Sequence, residues 1–353
     1  MTKRLLVLKK DQNRMQKRGG TIGFKKLVTA VFCVTAFSSA SAQDKPIQLA
    51  WPVDCELGTD CWVARYTDHS SEKGTLDYQC GKRTQNAHNG TDIVLADFAA
   101  MARGVEVLAA AEGVVFRLRK GMEDVQVTPE TRAEIRKRGC GNTVILRHAG
   151  GWQTQYCHMK QGSVQVAQGD TVKAGQIIGQ VGLSGLTEFP HLHFMVRAPR
   201  SGTGQPRMTD PFDGGRFKNG LCESGETTLW EQAPAYQAVA LLPPLMVSKP
   251  RTLKSMWDPQ PDNLGQNSPA LIVQARAFGA LKGDEWHIQL TDPGGKVRLN
   301  QNIEQARDRQ VMRVHAGIRK PDAGFRSGIW RASVRLVRDG AVMEVQTGSI
   351  RVE

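Results

Sequence analysis

The sequence predicts a mainly β protein: an antiparallel β-sheet core with a short inserted helix, followed by a C-terminal immunoglobulin-like β-sandwich. Three observations lead there. Residues 85–215 break into short β-rich segments separated by glycine turns. Residues 245–353 repeat half-buried strand patterns between turn signals such as Asp292-Pro293-Gly294-Gly295 and Asp339-Gly340. Between 120 and 139 alone does a helical signal interrupt the core, with Thr128 as a cap, Pro129 in the first helical position, Glu130 in the first turn and Ala133 to Lys137 after it.

The chain begins with a targeting pattern. Nine basic side chains and one acidic one fall in residues 1–42, with an apolar run from Leu27 to Phe37 that is too short to span a bilayer as a mature helix. Ala40-Ser41-Ala42 then supplies a small-residue cleavage signal, so residues 1–42 read as a secretory signal peptide and the mature protein as exported, periplasmic or extracellular, with no stable membrane span. The basic region is long enough to make Met15 a second candidate start. Phe32 before Cys33 is too bulky for a lipoprotein box, which argues against lipidation. Removing these residues takes a net +8 from the formal +13 of the whole chain and leaves about +5 on 311 residues. No nucleic-acid motif or basic helix is present, so nucleic acid is excluded as a partner; the residual charge suits an anionic polymer or is solvated surface.

Six cysteines remain beyond residue 42, with no closely spaced pair of the metal-binding type. In an oxidising compartment they read as disulfide staples. The hairpin turning at 149–151 brings Cys140 and Cys157 close to cross-strand register, Cys55 and Cys61 can close a small loop, and Cys80 and Cys222 complete the even number. Strand alternation places Cys157 on the face opposite His158, away from any site that uses His158. Residues 43–84, rich in Asp, Gly, Ser and Cys, read as a disulfide-tied N-terminal extension, 216–244 as a linker, and 245–353 as the β-sandwich. Within it Leu271–Phe278, Glu285–Thr291, Val311–Ile318, Ile329–Val337 and Val342–Val352 are the expected strands, with Trp286 and Trp330 as core residues and no visible chemistry.

The chemistry lies in the core, in three histidine-bearing segments: His88-Asn89-Gly90-Thr91-Asp92, Tyr156-Cys157-His158-Met159 and Pro190-His191-Leu192-His193-Phe194. Side chains at i and i+2 or i+4 of a strand emerge on one face, so His191 can join His193 and His88 can join Asp92. Two imidazoles and a carboxylate are a usual catalytic zinc set with one position left for water, and they leave a formal charge of about +1 to polarise a carbonyl and acidify that water. Alone, either motif is weak evidence in a chain with eight histidines. His69, His148, His287 and His315 are read as structural.

Taken in order, these segments resemble the LytM-type metallopeptidases (lysostaphin-like, family M23), which include lysostaphin and bacterial peptidoglycan endopeptidases. The HxGxD motif falls on His88 to Asp92; Val107 to Val115 resembles the family's paired strands; Gly141 to His148 resembles the strand before its central hairpin; Gly169 to Gly179 and Pro190 to Phe194 follow in the family's order, and Asp210-Pro211-Phe212 resembles its closing segment. The resemblance spans roughly residues 85 to 212. It implies one Zn2+ held by His88, Asp92 and His193, with His158 and His191 as catalytic residues that manage protons and the oxyanion while a zinc-bound water attacks. Met195 and Cys157 depart from the family's usual residues without touching a ligand position. The implied activity is endopeptidase hydrolysis of peptidoglycan stems or cross-links. The competing reading is a non-catalytic or latent regulator that activates a cell-wall amidase, with an amidase or envelope protein docking through the C-terminal unit. A carrier fold is a third, fainter likeness, at Val172-Lys173-Ala174-Gly175.

Overall fold

The computed structural model describes residues 46–71, 73–200, 204–215 and 227–353. The segment 1–42 expected as a signal peptide and Cys222 lie outside the described residues, as does the first part of the expected linker. Among the described residues no helix is long and apolar enough to cross a membrane.

The protein is mainly β, and its strands are paired antiparallel almost throughout. Ten strands build the first half: β1 (Cys61–Arg65), β2 (Thr91–Leu95), β3 (Glu106–Leu108), β4 (Gly113–Arg119), β5 (Asn142–Arg147), β6 (Gln153–Met159), β7 (Thr171–Val172), β8 (Ile177–Gln180), β9 (His191–Ala198) and β10 (Arg207–Thr209). An eight-stranded sheet runs β1-β2-β9-β6-β5-β4-β7, with β10 added on β9, while β3 and β8 form a separate ribbon. The segment expected as an extension therefore contributes the edge strand β1, paired with β2 from Cys61↔Leu95 to Arg65↔Asp92.

Alternation gives the sheet two unlike faces. One buries Val63, Ile93, Leu95, Tyr156, Leu192 and Phe194 in the main core. On the other face Asp92 stands opposite His193, and Val94 opposite His191. That second face carries the candidate site, and next to it an apolar patch of Trp62, Ala64 and Val94.

The inserted segment is helical as expected but shorter. After α1 (Phe98–Arg103), α2 covers Arg132–Ile135 and continues as a 3-10 turn over Arg136–Arg138. The cap is Thr131 rather than Thr128: Thr128 and Pro129 form the preceding turn, whose carbonyl at Thr128 accepts from Arg132 N–H at 3.0 Å.

Eight further strands follow: β11 (Ala240–Val247), β12 (Asn263–Leu264), β13 (Ala270–Ala280), β14 (Glu285–Thr291), β15 (Val297–Glu304), β16 (Arg309–Arg319), β17 (Gly328–Arg338) and β18 (Ala341–Val352). They form two sheets, β11-β13-β16 and β12-β18-β17-β14-β15. Both contribute to one core, in which Leu241, Val273 and Val314 meet Trp286, Val334 and Trp330. Three of these strands escape sequence reading: β11, the two-residue β12 and β15. In β11, Pro243 and Pro244 break the pattern, yet they sit where its register with β13 slips between Leu242 and Leu245. An edge strand tolerates proline at such a bulge because no ladder N–H is needed there. In β15 the side chains are mostly exposed, so no alternation marks it.

This second unit covers the apolar patch beside the site. Ala240 and Leu242 of β11, Phe278 of β13 and the turn residues Met256 and Trp257 join Trp62, Ala64, Val94 and Phe189 in one buried cluster. The buried Arg276 guanidinium stitches the seam, donating to Ala96 O at 2.8 Å, Met256 O at 2.9 Å and Pro243 O at 3.0 Å. These three donated hydrogen bonds offset part of the hydration that the buried guanidinium loses, while its Nε has no partner among the described residues.

Candidate metal centre

His88 is aimed by the segment just after β1. Its backbone N–H donates to Gln85 O at 2.9 Å and its carbonyl accepts from Asp68 N–H at 2.8 Å. Ala87, in the left-handed region at φ 64°, is held by its N–H donating to the Asp68 carboxylate at 2.7 Å. The imidazole Nδ1–H then donates to Tyr66 O at 2.7 Å, which leaves the Nε2 lone pair facing Asp92. Gly90 is required by space: a Cβ there would lie 2.4 Å from Phe194 O and 3.0 Å from His193 Cε1.

Asp92 and His193 are cross-strand partners on β2 and β9. His193 Nδ1 lies 2.7 Å from Asp92 Oδ1 and His88 Nε2 lies 3.0 Å from the same oxygen, while His193 Nε2–H donates to Asn89 Oδ1 at 3.1 Å. With both outer ring nitrogens spent as donors, two imidazole lone pairs and a carboxylate oxygen converge with no proton between them. Such an arrangement fits a cation, and the ligand atoms of these three residues lie within 4.8 Å of one another. The other carboxylate oxygen is occupied by Arg65 Nη1, which donates at 3.1 Å.

Charge follows the same logic. Burial alone would raise the Asp92 carboxyl, but the surrounding imidazoles of His88, His191 and His193 outweigh it and hold the group well below the usual carboxylate range. Burial lowers His193 against the pull of Asp92. His158 is pushed well below the ordinary imidazole range, by burial first and then by the charges of His191 and His193. His158 and His193 are thus neutral near pH 7, the form that offers a lone pair.

His158 and His191 face each other beside this group, with ring centroids 4.7 Å apart. His158 Nδ1–H donates to Ser184 O at 2.8 Å, leaving Nε2 for the cleft. His191 Nδ1–H donates to Phe189 O at 3.0 Å, near Thr187 Oγ1 at 3.1 Å, and its Nε2 lies 3.4 Å from Asp92 Oδ1. All five residues expected from sequence meet in one cleft of about 360 Å³.

One expectation about this wall is wrong. Cys157 is the cross-strand partner of His193, so it lies on the site face and lines the cleft, bonded to Cys140. His158 should then point into the core, and it reaches the site because its own backbone is inverted, at φ 62°, a region non-glycine residues rarely occupy. The register between β5 and β6 slips between Asn142 and Val144 at this place, and His158 N–H donates to Cys140 O at 2.9 Å. The second disulfide joins Cys55 and Cys61 as expected, and Cys80 is disulfide-bonded too.

Residues missed from sequence complete the cleft. Arg65 and Gln85 flank the Asp92 side, Val127 and Arg132 come from the insertion, and Leu186, Glu188 and Phe189 from the loop before β9. None carries a periodic or motif signal: Arg132 opens the single-turn helix α2, Arg65 sits beside a bulge, and the rest lie in loops. The other histidines are structural or remote. His148 is fixed between Glu112 O at 2.7 Å and Thr154 Oγ1 at 2.8 Å, and the fully buried His69 lies 2.9 Å from Asp210 Oδ2.

A model of peptidase family M23 matches residues 86–207. The DD-carboxypeptidase/endopeptidase Mpg of Neisseria meningitidis is 36% identical over 124 residues, which cover 35% of this chain and 22% of that protein. Peptidoglycan DD-endopeptidase ShyA of Vibrio cholerae is 31% identical over 107 residues, 30% of this chain and 19% of that one. The chain thus spans about a fifth of the length of these curated relatives. Among solved structures, the catalytic domain of lysostaphin from Staphylococcus simulans shares 27% identity over 35% of this chain and 76% of that chain, with a TM-score of 0.25. Residues 86–207 of this chain are a peptidase family M23 domain.

Proposed function

We propose that the protein is an exported zinc metalloendopeptidase that hydrolyses peptide bonds in peptidoglycan stems or cross-links. The observation that carries this reading is the convergence of His88, Asp92 and His193 on one point with His158 and His191 beside it in an open cleft. The relatives named for peptidoglycan and DD-endopeptidase activity support the substrate class.

His88 Nε2, Asp92 Oδ1 and His193 Nδ1 would hold the ion. Bound zinc supplies Lewis acidity, which lowers the pKa of water toward about 7 and polarises the scissile carbonyl. His158, neutral and with Nδ1–H committed to Ser184 O, accepts the proton of the attacking water at Nε2 and returns it to the leaving amine as the C–N bond breaks. His191, with Nδ1–H committed to Phe189 O, presents Nε2 to the cleft, where a proton on that nitrogen would stabilise the developing oxyanion. Arg65 Nη1 donates to Oδ2 of Asp92, which leaves Oδ1 as the carboxylate oxygen toward His88 and His193.

Mass spectrometry of fragments released from intact sacculi by the zinc-loaded protein tests the reading: monomers should appear from cross-linked dimers. His191→Ala and His158→Ala should keep zinc and lose turnover by about 10²- to 10⁴-fold, whereas His88→Ala should lose the metal. A second reading rests on the ion pair between Arg132 of the insertion and Glu188 of the facing loop, both lining the cleft. Such a clasp suits a latent enzyme or a regulator that activates an amidase. Zinc bound without release from sacculi, together with amidase stimulation, would favour it.

A further inference from the structure

The C-terminal unit covers the sheet beside the site, and one of its side chains reaches toward a proposed catalytic histidine. Trp257, about 1% exposed, ends the 3-10 turn Ser255–Trp257 between β11 and β12. Its ring stacks on Phe189, with centroids 4.9 Å apart and planes at 28°. Phe278 closes the far side at 5.5 Å from Phe189 and 6.0 Å from Trp257. Phe189 in turn lies 4.8 Å from the His191 ring, and its carbonyl accepts from His191 Nδ1–H at 3.0 Å. That carbonyl also accepts from Thr187 Oγ1–H at 2.7 Å. Phe189 therefore fixes His191 twice, through its ring and through its backbone.

Further bonds bring Trp257 to Phe189 in a fixed place. The Gln126 amide donates both to Glu188 O at 2.8 Å and to Lys254 O at 3.2 Å, joining the loop before β9 to the turn that carries Trp257. Arg276 ties Met256 O to Ala96 O just after β2. Without Trp257, the loop at 184–190 would keep its covalent path but lose the surface that sets the depth of Phe189.

We propose that Trp257 is a positioning residue for His191: it belongs to the C-terminal unit, and by holding Phe189 against the imidazole it makes that unit part of the catalytic apparatus rather than a tethered accessory. The inference rests on the role given to His191 above. His191 is outside the proposed ligand set, so its displacement should fall mainly on the chemical step rather than on metal binding or substrate affinity.

The test uses the full-length mature chain carrying Trp257→Ala, Trp257→Phe or, as a control in the same C-terminal core away from the seam, Val334→Ala. Wild type and variants are compared for zinc content, for kcat and KM on a purified cross-linked muropeptide dimer, and for the His191 imidazole signals by NMR. Trp257→Ala should keep zinc, lose at least about tenfold in kcat with KM within about twofold, and shift or broaden the His191 ring signals. Trp257→Phe should restore most of the rate, because a second aromatic ring can still stack on Phe189. Val334→Ala should leave kcat unchanged. A wild-type kcat in Trp257→Ala, or an equal loss in Val334→Ala, would overturn the positioning role. If the wild-type protein cleaves no muropeptide, the proposed activity fails, and the NMR measurement still decides: unchanged His191 signals in Trp257→Ala refute the coupling.

Discussion

Replacing both Cys140 and Cys157 by Ser separates two jobs that this bridge performs. The pair closes a sequence separation of 17, and loop-closure entropy for a ring of that size amounts to about 3 kcal/mol in the unfolded chain. The Cys55–Cys61 pair, at a separation of 6, should contribute about 2 kcal/mol by the same relation. Stability alone therefore distinguishes the two poorly. Function should distinguish them well, because His158 follows Cys157 directly and donates its N–H to Cys140 O while sitting at φ 62°. A non-glycine residue there stores about 1 to 3 kcal/mol. If the bridge is what keeps that conformation from relaxing to ordinary β geometry, its loss lowers the competent population, and kcat, by about 5- to 150-fold, the equivalent of that energy. Urea unfolding and steady-state kinetics on a muropeptide dimer would be run on both double-Ser variants, with zinc content checked. Equal kcat in the two variants, each folded and metal-loaded, would refute the claim that the Cys140–Cys157 bridge holds His158.

Three other outcomes follow from single observations. Asn89→Ala removes the acceptor for His193 Nε2–H and should weaken zinc binding by about 10- to 100-fold, read by competition with a chromogenic chelator; an unaltered Kd would sink that orienting role. Gly90→Ala places a Cβ against Phe194 O and should cost about 1 to 3 kcal/mol of stability and disturb His193, whereas a variant of wild-type stability and metal content would contradict the spacing. All four tyrosines of the chain are raised by burial, Tyr66 and Tyr156 to about 12 and Tyr78 and Tyr236 further still. A folded pKa above the unfolded value of about 10 gives stability that is complete below pH 10 and is lost as pH rises toward 12, roughly 3 kcal/mol for each of Tyr66 and Tyr156. Phenolate absorbance should accordingly appear late and together with unfolding; a tyrosine titrating near pH 10 in the folded protein would contradict this burial.

The parts of the fold that could be read ahead are those fixed by local pattern. The β5–β6 hairpin turns at 149–151 and the strand at Glu285–Thr291 has the expected bounds, because glycine turns and alternating side chains are properties of neighbouring residues. Spacing accounts for part of the candidate site: His191 and His193 share a face of β9, whereas His88 precedes β2 and is aimed at Asp92 by its own loop. What spacing cannot say is which strands become neighbours. Only the order β2-β9-β6 sets Asp92 opposite His193 and Cys157 beside them. The seam between the two halves was invisible for the same reason, since Trp62, Phe189 and Trp257 are far apart in the chain and none belongs to a repeating pattern.

His158 shows why alternation failed at the residue that matters most. Counting along β6 from Tyr156, which faces the core with Phe194, puts Cys157 on the site face and His158 back in the core. The sequence reading chose the other phase because it began from the assumption that His158 faces the metal. Both residues in fact line the cleft, and strict alternation forbids that for consecutive positions in a regular strand. The conflict is resolved by a single inverted residue where the register with β5 slips, which spends conformational energy to turn one imidazole through the sheet. Strain of this kind persists only where the surroundings over-determine it, here through Cys140 O, Ser184 O and the bridge at Cys157. Cys157 is therefore coupled to the site: in this chain a disulfide anchors the position just before the inverted residue, where the backbone must be restrained for the next side chain to reach the cleft.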